Sequence, residues 1–223
     1  MKNKQTIYHF VVDKSGSMSG MEAQTIDGFN KQLSALQALK KEFPEQDYRV
    51  SLTLFNGEVS DVVLFGNVET LAPLDGTSYR PEGSTSLLDA IGKSIYKIKQ
   101  QFGEAVQRGE ASVVMVILTD GEENSSRMYT YKDIAEMIKE LDATGKWNFS
   151  FLGADLDAIR ATEQLNIRRE NVMSFNKRNY SHMMDDVTTS MRSYEEAKRS
   201  GSMKNNLFDI FKDKDRRNKD QNS

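Results

Sequence analysis

Ser112 to Leu118, reading SVVMVIL, is almost continuously apolar and rich in β-branched residues. A strand with one wet face alternates apolar and polar residues, so an unbroken run of this kind predicts a central strand covered by helices on both faces. The rest of the chain supplies that cover. Ile26, Phe29, Leu33, Leu36 and Leu39 recur at three- and four-residue intervals and predict a helix over 21–43, stopped by Pro44. Leu88, Ile91, Ile95, Ile98 and Phe102 mark a second helix, and Ile134, Met137, Ile138 and Leu141 a third. Thr130 and Asp133 have the spacing of a capping box at the start of that third helix, and Gly145 follows its end. Further helices are expected over 155–165 and 180–198. Between them lie strand patterns at 7–12, 48–55, 59–65, 147–152 and 171–175, with Asn56-Gly57 as a hairpin turn joining the second and third. Alternating strands and helices predict an α/β fold: a doubly wound, mostly parallel sheet with one antiparallel edge strand and helices on both faces.

With 223 residues, 38% of them hydrophobic, and a net charge of -3, the chain fits one domain with a sizeable core. That domain is expected over 1–198, with a flexible tail over 199–223 whose composition turns to Gly, Ser, Asn, Lys and Asp. Within the tail, the cluster 207–211 is open to three readings: docking on a partner, folding back on the body, or a frayed extension of the last helix. Basic residues are matched by acids along the chain, so no stripe tracks a nucleic-acid backbone. The absence of cysteine excludes disulfides, thiolate metal sites and cysteine nucleophiles, and two histidines argue against zinc catalysis. The apolar run after the basic N-terminus is too short for a signal peptide, and no stretch is long enough to span a bilayer, so a cytoplasmic protein with no membrane partner is expected.

Chemistry concentrates where strands end. Asp13, Ser15 and Ser17 stand at alternate positions in a glycine-containing loop directly after the first strand. Short oxygen-bearing side chains from one tight loop can supply part of the shell of a hard cation such as Mg2+, although Ser and Asp are also preferred just ahead of a helix. Asp120 follows the central strand, and Ser84 and Thr85 precede the second long helix. In an open α/β sheet all three segments face one rim, beyond the carboxyl ends of the strands, where ligands bind. Asp155 is expected near that rim as well, as a helix N-cap ahead of a ligand.

Over residues 5–198 this constellation resembles the metal-ion-dependent adhesion site of the von Willebrand factor A domain family. Asp13, Ser15 and Ser17 match its first motif, Thr85 its threonine loop, and Asp120 in Leu118-Thr119-Asp120-Gly121-Glu122 its second aspartate. The resemblance implies that Ser15 and Ser17 bind Mg2+ directly, with Mn2+ or Ca2+ as further candidates. It implies that Asp13 and Asp120 act partly through water, and that Thr85 joins the metal when a ligand is engaged. The implied function is binding rather than catalysis, the partner being a protein that presents an Asp or Glu carboxylate. Stand-alone bacterial relatives, including those near tellurite-resistance proteins, suggest an AAA-type ATPase or an operon neighbour in a stress or defence system. Two other readings stay open. Asp13-Lys14-Ser15-Gly16-Ser17 is also similar to the phosphorylated-aspartate loop of haloacid-dehalogenase-like enzymes, in which the aspartate is a nucleophile. A scaffold with a purely structural metal is the third.

Overall fold

The computed structural model describes residues 4–154, 160, 162–176, 178–201, 207 and 208. Six strands form one sheet: β1 (Gln5–Asp13), β2 (Asp47–Phe55), β3 (Val59–Asn67), β4 (Ala111–Thr119), β5 (Trp147–Ala154) and β6 (Val172–Phe175), in the order β3-β2-β1-β4-β5-β6. All neighbours are parallel except β2 and β3, which form the antiparallel edge pair. Among the described residues, the helices that flank it include α1 (Glu22–Glu42), α2 (Leu87–Gln107), α3 (Tyr131–Ala143) and α4 (Tyr180–Arg199). The helix expected over 155–165, and Asp155 with it, falls largely outside the described residues.

Period-two alternation along the central strands divides the interior into two cores. Tyr8, Phe10 and Val12 of β1, with Val114, Val116 and Leu118 of β4, face α1 and α4; Ile7, Val11, Val113, Met115 and Ile117 face α2 and α3. Every residue of β4 is buried, which accounts for a sequence with no polar side to its alternation. Each such aliphatic side chain withdrawn from water contributes about 1.5–3 kcal/mol. α3 opens on the expected capping box, Thr130 accepting from the Asp133 amide and Asp133 from that of Thr130.

The hairpin departs from expectation. An Asn-Gly pair normally closes a two-residue turn with both residues at positive φ, whereas here Gly57 stays out of the left-handed region and Glu58 joins the loop. The Asn56 side chain instead accepts from the Glu58 amide at 3.0 Å. Its main-chain amide donates to Glu58 O, and two further groups are committed to the threonine loop: Nδ2 donates to Glu82 O, and its main-chain carbonyl accepts from the amide and hydroxyl of Ser86. In the tail segment, Leu207 and Phe208 are buried against the α1–α4 core, and the Leu207 amide donates to Asn171 Oδ1 at 3.1 Å. At these two residues the chain folds back on the body. No helix among the described residues is long and apolar enough to cross a membrane.

Candidate metal centre

Parallel pairing of β1 with β4, in a register that sets Val12 beside Leu118, brings the ends of both strands to one rim. Asp13, the last residue of β1, is thereby placed against Thr119, whose hydroxyl donates to Asp13 Oδ2 at 2.5 Å. The Ser15 amide donates to Asp13 Oδ1 at 2.6 Å, closing the loop on its own aspartate. From Asp13 the cluster runs outward: Ser15 Oγ lies 3.0 Å from Ser17 Oγ, which donates to Asp120 Oδ1 at 2.6 Å.

Thr85 arrives from a third direction. Gly83 takes φ +75°, a left-handed conformation that a side chain would strain, and its carbonyl accepts from the Gly16 amide at 3.0 Å. The Glu82 amide donates to Lys14 O at 2.8 Å, so the threonine loop is zipped to the aspartate–serine loop by main-chain bonds. All five residues expected from the sequence, Asp13, Ser15, Ser17, Thr85 and Asp120, therefore meet at one place.

The space they bound is defined by Gly121. A Cβ built on Gly121 would lie 3.0 Å from Ser17 Oγ, 3.3 Å from Thr85 Oγ1 and 3.7 Å from Asp13 Oδ2. Three oxygens, two from the aspartate–serine segment and one from the threonine loop, thus face one point beside the third loop that the missing side chain leaves open. Hydroxyls and carboxylates, without sulfur or imidazole, suit a hard, oxygen-preferring divalent cation. Among the described residues no three acidic or imidazole side chains gather as a cation cluster, so hydroxyls must complete any such shell.

Electrostatics point the same way. Burial is the main cause that raises the Asp13 pKa, opposed by the hydrogen bonds from Thr119 and Ser15; the neighbouring charge of Asp120 raises it further. Two carboxylates held close, one of them fully buried, repel each other unless positive charge joins them.

Several supporting residues were not found from the sequence. Thr119 orients Asp13, Tyr79 donates its hydroxyl to the Asp13 carbonyl at 2.6 Å, and Asn124 Oδ1 accepts from the Thr85 amide at 2.9 Å. Thr119 had a usable signal, since it directly precedes Asp120 on the strand destined to lie beside β1. Tyr79 and Asn124 are polar loop residues whose partners are distant in sequence.

Comparison with known proteins agrees with this geometry. Residues 9–189 match the von Willebrand factor type A domain family. No curated protein matches the sequence well enough to serve as a relative. Among solved structures, the pilus adhesin SpaC from Lactobacillus rhamnosus GG superposes with a TM-score of 0.63 at 13% identity, over 86% of this chain and 30% of that one. The manganese-loaded TRAP protein of Plasmodium vivax gives 0.57 at 15% identity, over 83% and 72%. Proximal thread matrix protein 1 from the mussel byssus, with a zinc-occupied metal-ion-dependent adhesion motif, gives 0.52 at 15% identity, over 84% and 46%. At such identities these likenesses concern the fold, and the chain spans less than half the length of the first solved chains it matches.

Proposed function

The chain belongs to the von Willebrand factor type A domain family, and on that premise we propose that it is a divalent-metal-dependent protein-binding module whose partner presents an Asp or Glu carboxylate. The observation that carries this reading is the convergence of Asp13 Oδ2, Ser17 Oγ and Thr85 Oγ1 around the space beside Gly121. Ser15, Ser17 and Thr85 would hold the cation with Asp13 and Asp120 behind them, and Mg2+ is our choice because the donors are all oxygen. When bound, the cation supplies a positive, ligand-exchanging centre able to accept an outside carboxylate. The manganese and zinc in the two metal-loaded neighbours support a divalent ion at this place in the fold.

The residues themselves are built to hold rather than to turn over. Asp13 is fully buried, with both carboxylate oxygens engaged by Ser15 and Thr119, an arrangement that orients it and does not expose a nucleophile. Ser15 occupies the position two residues on, where a phosphoryl-transfer enzyme of the similar loop would carry a general-acid aspartate. We propose accordingly that the protein is not an enzyme. We place it in the bacterial cytoplasm, in a stress or defence system of the tellurite-resistance kind, beside an AAA-type ATPase or another operon neighbour.

Partner capture in Mg2+ and in excess chelator, with wild type and Asp13→Ala, tests the reading. Retention only by wild type in Mg2+ is expected. A partner held equally well in chelator would place the binding surface elsewhere and leave the metal a structural role.

A further inference from the structure

We propose that Asn124 is a positioning residue that presets the metal centre, holding Thr85 among the donor oxygens before any partner arrives. The inference rests on the metal-binding reading above and deepens it. It replaces the expectation that Thr85 joins only in the engaged state.

The loop that carries Asp120 takes both backbone polar groups of Thr85. Asn124 Oδ1 accepts from the Thr85 amide at 2.9 Å, while the amides of Asn124 and Ser125 donate to the Thr85 carbonyl at 3.0 and 3.1 Å. Thr85 is buried, so losing these partners leaves its amide and carbonyl short of both protein and water. The loop is itself anchored to the start of α2, the helix that Thr85 leads into. Glu123 Oε2 accepts from the Leu88 amide, Ser126 Oγ accepts from the Asp89 amide, and the Asp89 carboxylate accepts from the amides of Arg127, Met128 and Tyr129. The Asp120 loop, Thr85 and the first turn of α2 are therefore one stitched body.

Thr85 Oγ1 already faces the space beside Gly121 together with Ser17 Oγ and Asp13 Oδ2. For the Thr85 main chain to withdraw, three hydrogen bonds to residues 124 and 125 must break or the whole stitched body must move. A donor fixed in advance spares the ion and its partner the cost of ordering a loop. Asn124 suits the task because its side chain offers an acceptor at the reach of the Thr85 amide, and because it is exposed, so replacing it opens no cavity in either core.

Mn2+ affinity, read from the electron paramagnetic resonance of the free ion, tests this on the full chain with no partner present. Thr85→Ala and Asn124→Leu should each weaken Mn2+ by about tenfold. The double variant should be no weaker than Thr85→Ala alone, because Asn124 acts through Thr85. Asn124→Asp, which keeps the acceptor, should retain wild-type affinity or better, and Asn124→Ala should follow Asn124→Leu. Melting in excess chelator should leave the Asn124 variants with wild type, showing that fold is not the quantity changed. Wild-type affinity in Asn124→Leu or in Thr85→Ala, losses that multiply in the double variant, or Asn124→Asp no better than Asn124→Leu would each overturn the proposal. Failure of wild type to bind Mn2+, or equal binding by Asp13→Ala, would instead remove the metal reading beneath it.

Discussion

The two ends of β1 both carry buried polar groups, and they balance charge in opposite ways. At the amino end, Glu195 of α4 accepts from Thr6 Oγ1 and Tyr8 OH at 2.8 Å each, and Lys198 donates to Thr6 Oγ1 at 2.6 Å and to Gln5 O at 2.9 Å. Thr6 thus bridges an acid and a base that come from the same helix. Burial lowers the Lys198 pKa to about 8, and the Glu195 charge pulls it back up. At the carboxyl end, the charge acting on Asp13 is that of Asp120, and it works with burial instead of against it. A network holding opposite charges offsets them internally and fixes α4 to the sheet. Like charges gathered beside an open space call for a cation from outside. The difference separates a structural network from a binding site more clearly than burial does, since Glu195 and Asp13 are both fully buried.

The contrast breaks if the two ends respond alike, and the largest effect is expected at the amino end. Glu195→Ala leaves the Thr6 and Tyr8 hydroxyls without their acceptor and Lys198 without its neighbouring negative charge, at an expected cost of about 3–5 kcal/mol in denaturant unfolding in chelator. Mn2+ affinity should be unchanged. A parallel loss of metal affinity would mean that the ends are coupled through β1 and are not separate devices.

A smaller effect sharpens the amino-end account. Because the folded-state pKa of Lys198 lies below its unfolded value, the unfolded chain binds more protons between about pH 8 and the ordinary lysine range. The Lys198 contribution to stability therefore rises with pH through that window. Below it, the full cost of burying the charge is present. Relative to Lys198→Met, wild type should gain at most about 1 kcal/mol per pH unit from pH 8 to 10. Parallel curves would show that the lysine stays charged and fully compensated.

Comparable in size is the effect of His9, buried on the α2 side of β1, where Nε2 lies 2.9 Å from Thr53 Oγ1. Burial lowers its pKa to about 4, so the folded state resists a proton that the unfolded chain accepts below the ordinary imidazole range. Stability should fall as pH drops from about 6.5 towards 4, and His9→Gln should flatten that slope. An unchanged slope would assign the acid sensitivity to the carboxylates.

The fold was legible because its signals are local or periodic: the unbroken apolar run of β4, the spacing of Leu33, Leu36 and Leu39, and the capping box at Thr130. The five rim residues were legible because each sits at the end of such an element. What stayed hidden depends on register and on contacts distant in sequence. Asn56 looked like half of a tight turn, yet its backbone and side chain are drawn to Glu82 and Ser86. Asn124 looked like a polar loop residue, and nothing near it in sequence shows that Thr85 is its partner. Glu195 and Lys198 read as the polar side of a helix, although α4 turns them onto the end of the sheet.

Calorimetric titration of Mg2+ into chelator-stripped wild type and Asp13→Ala tests the central claim most directly. A single site of millimolar or better affinity in wild type, absent in Asp13→Ala, is the expected result. Equal heats from the two proteins would contradict the assignment of this rim as the metal centre.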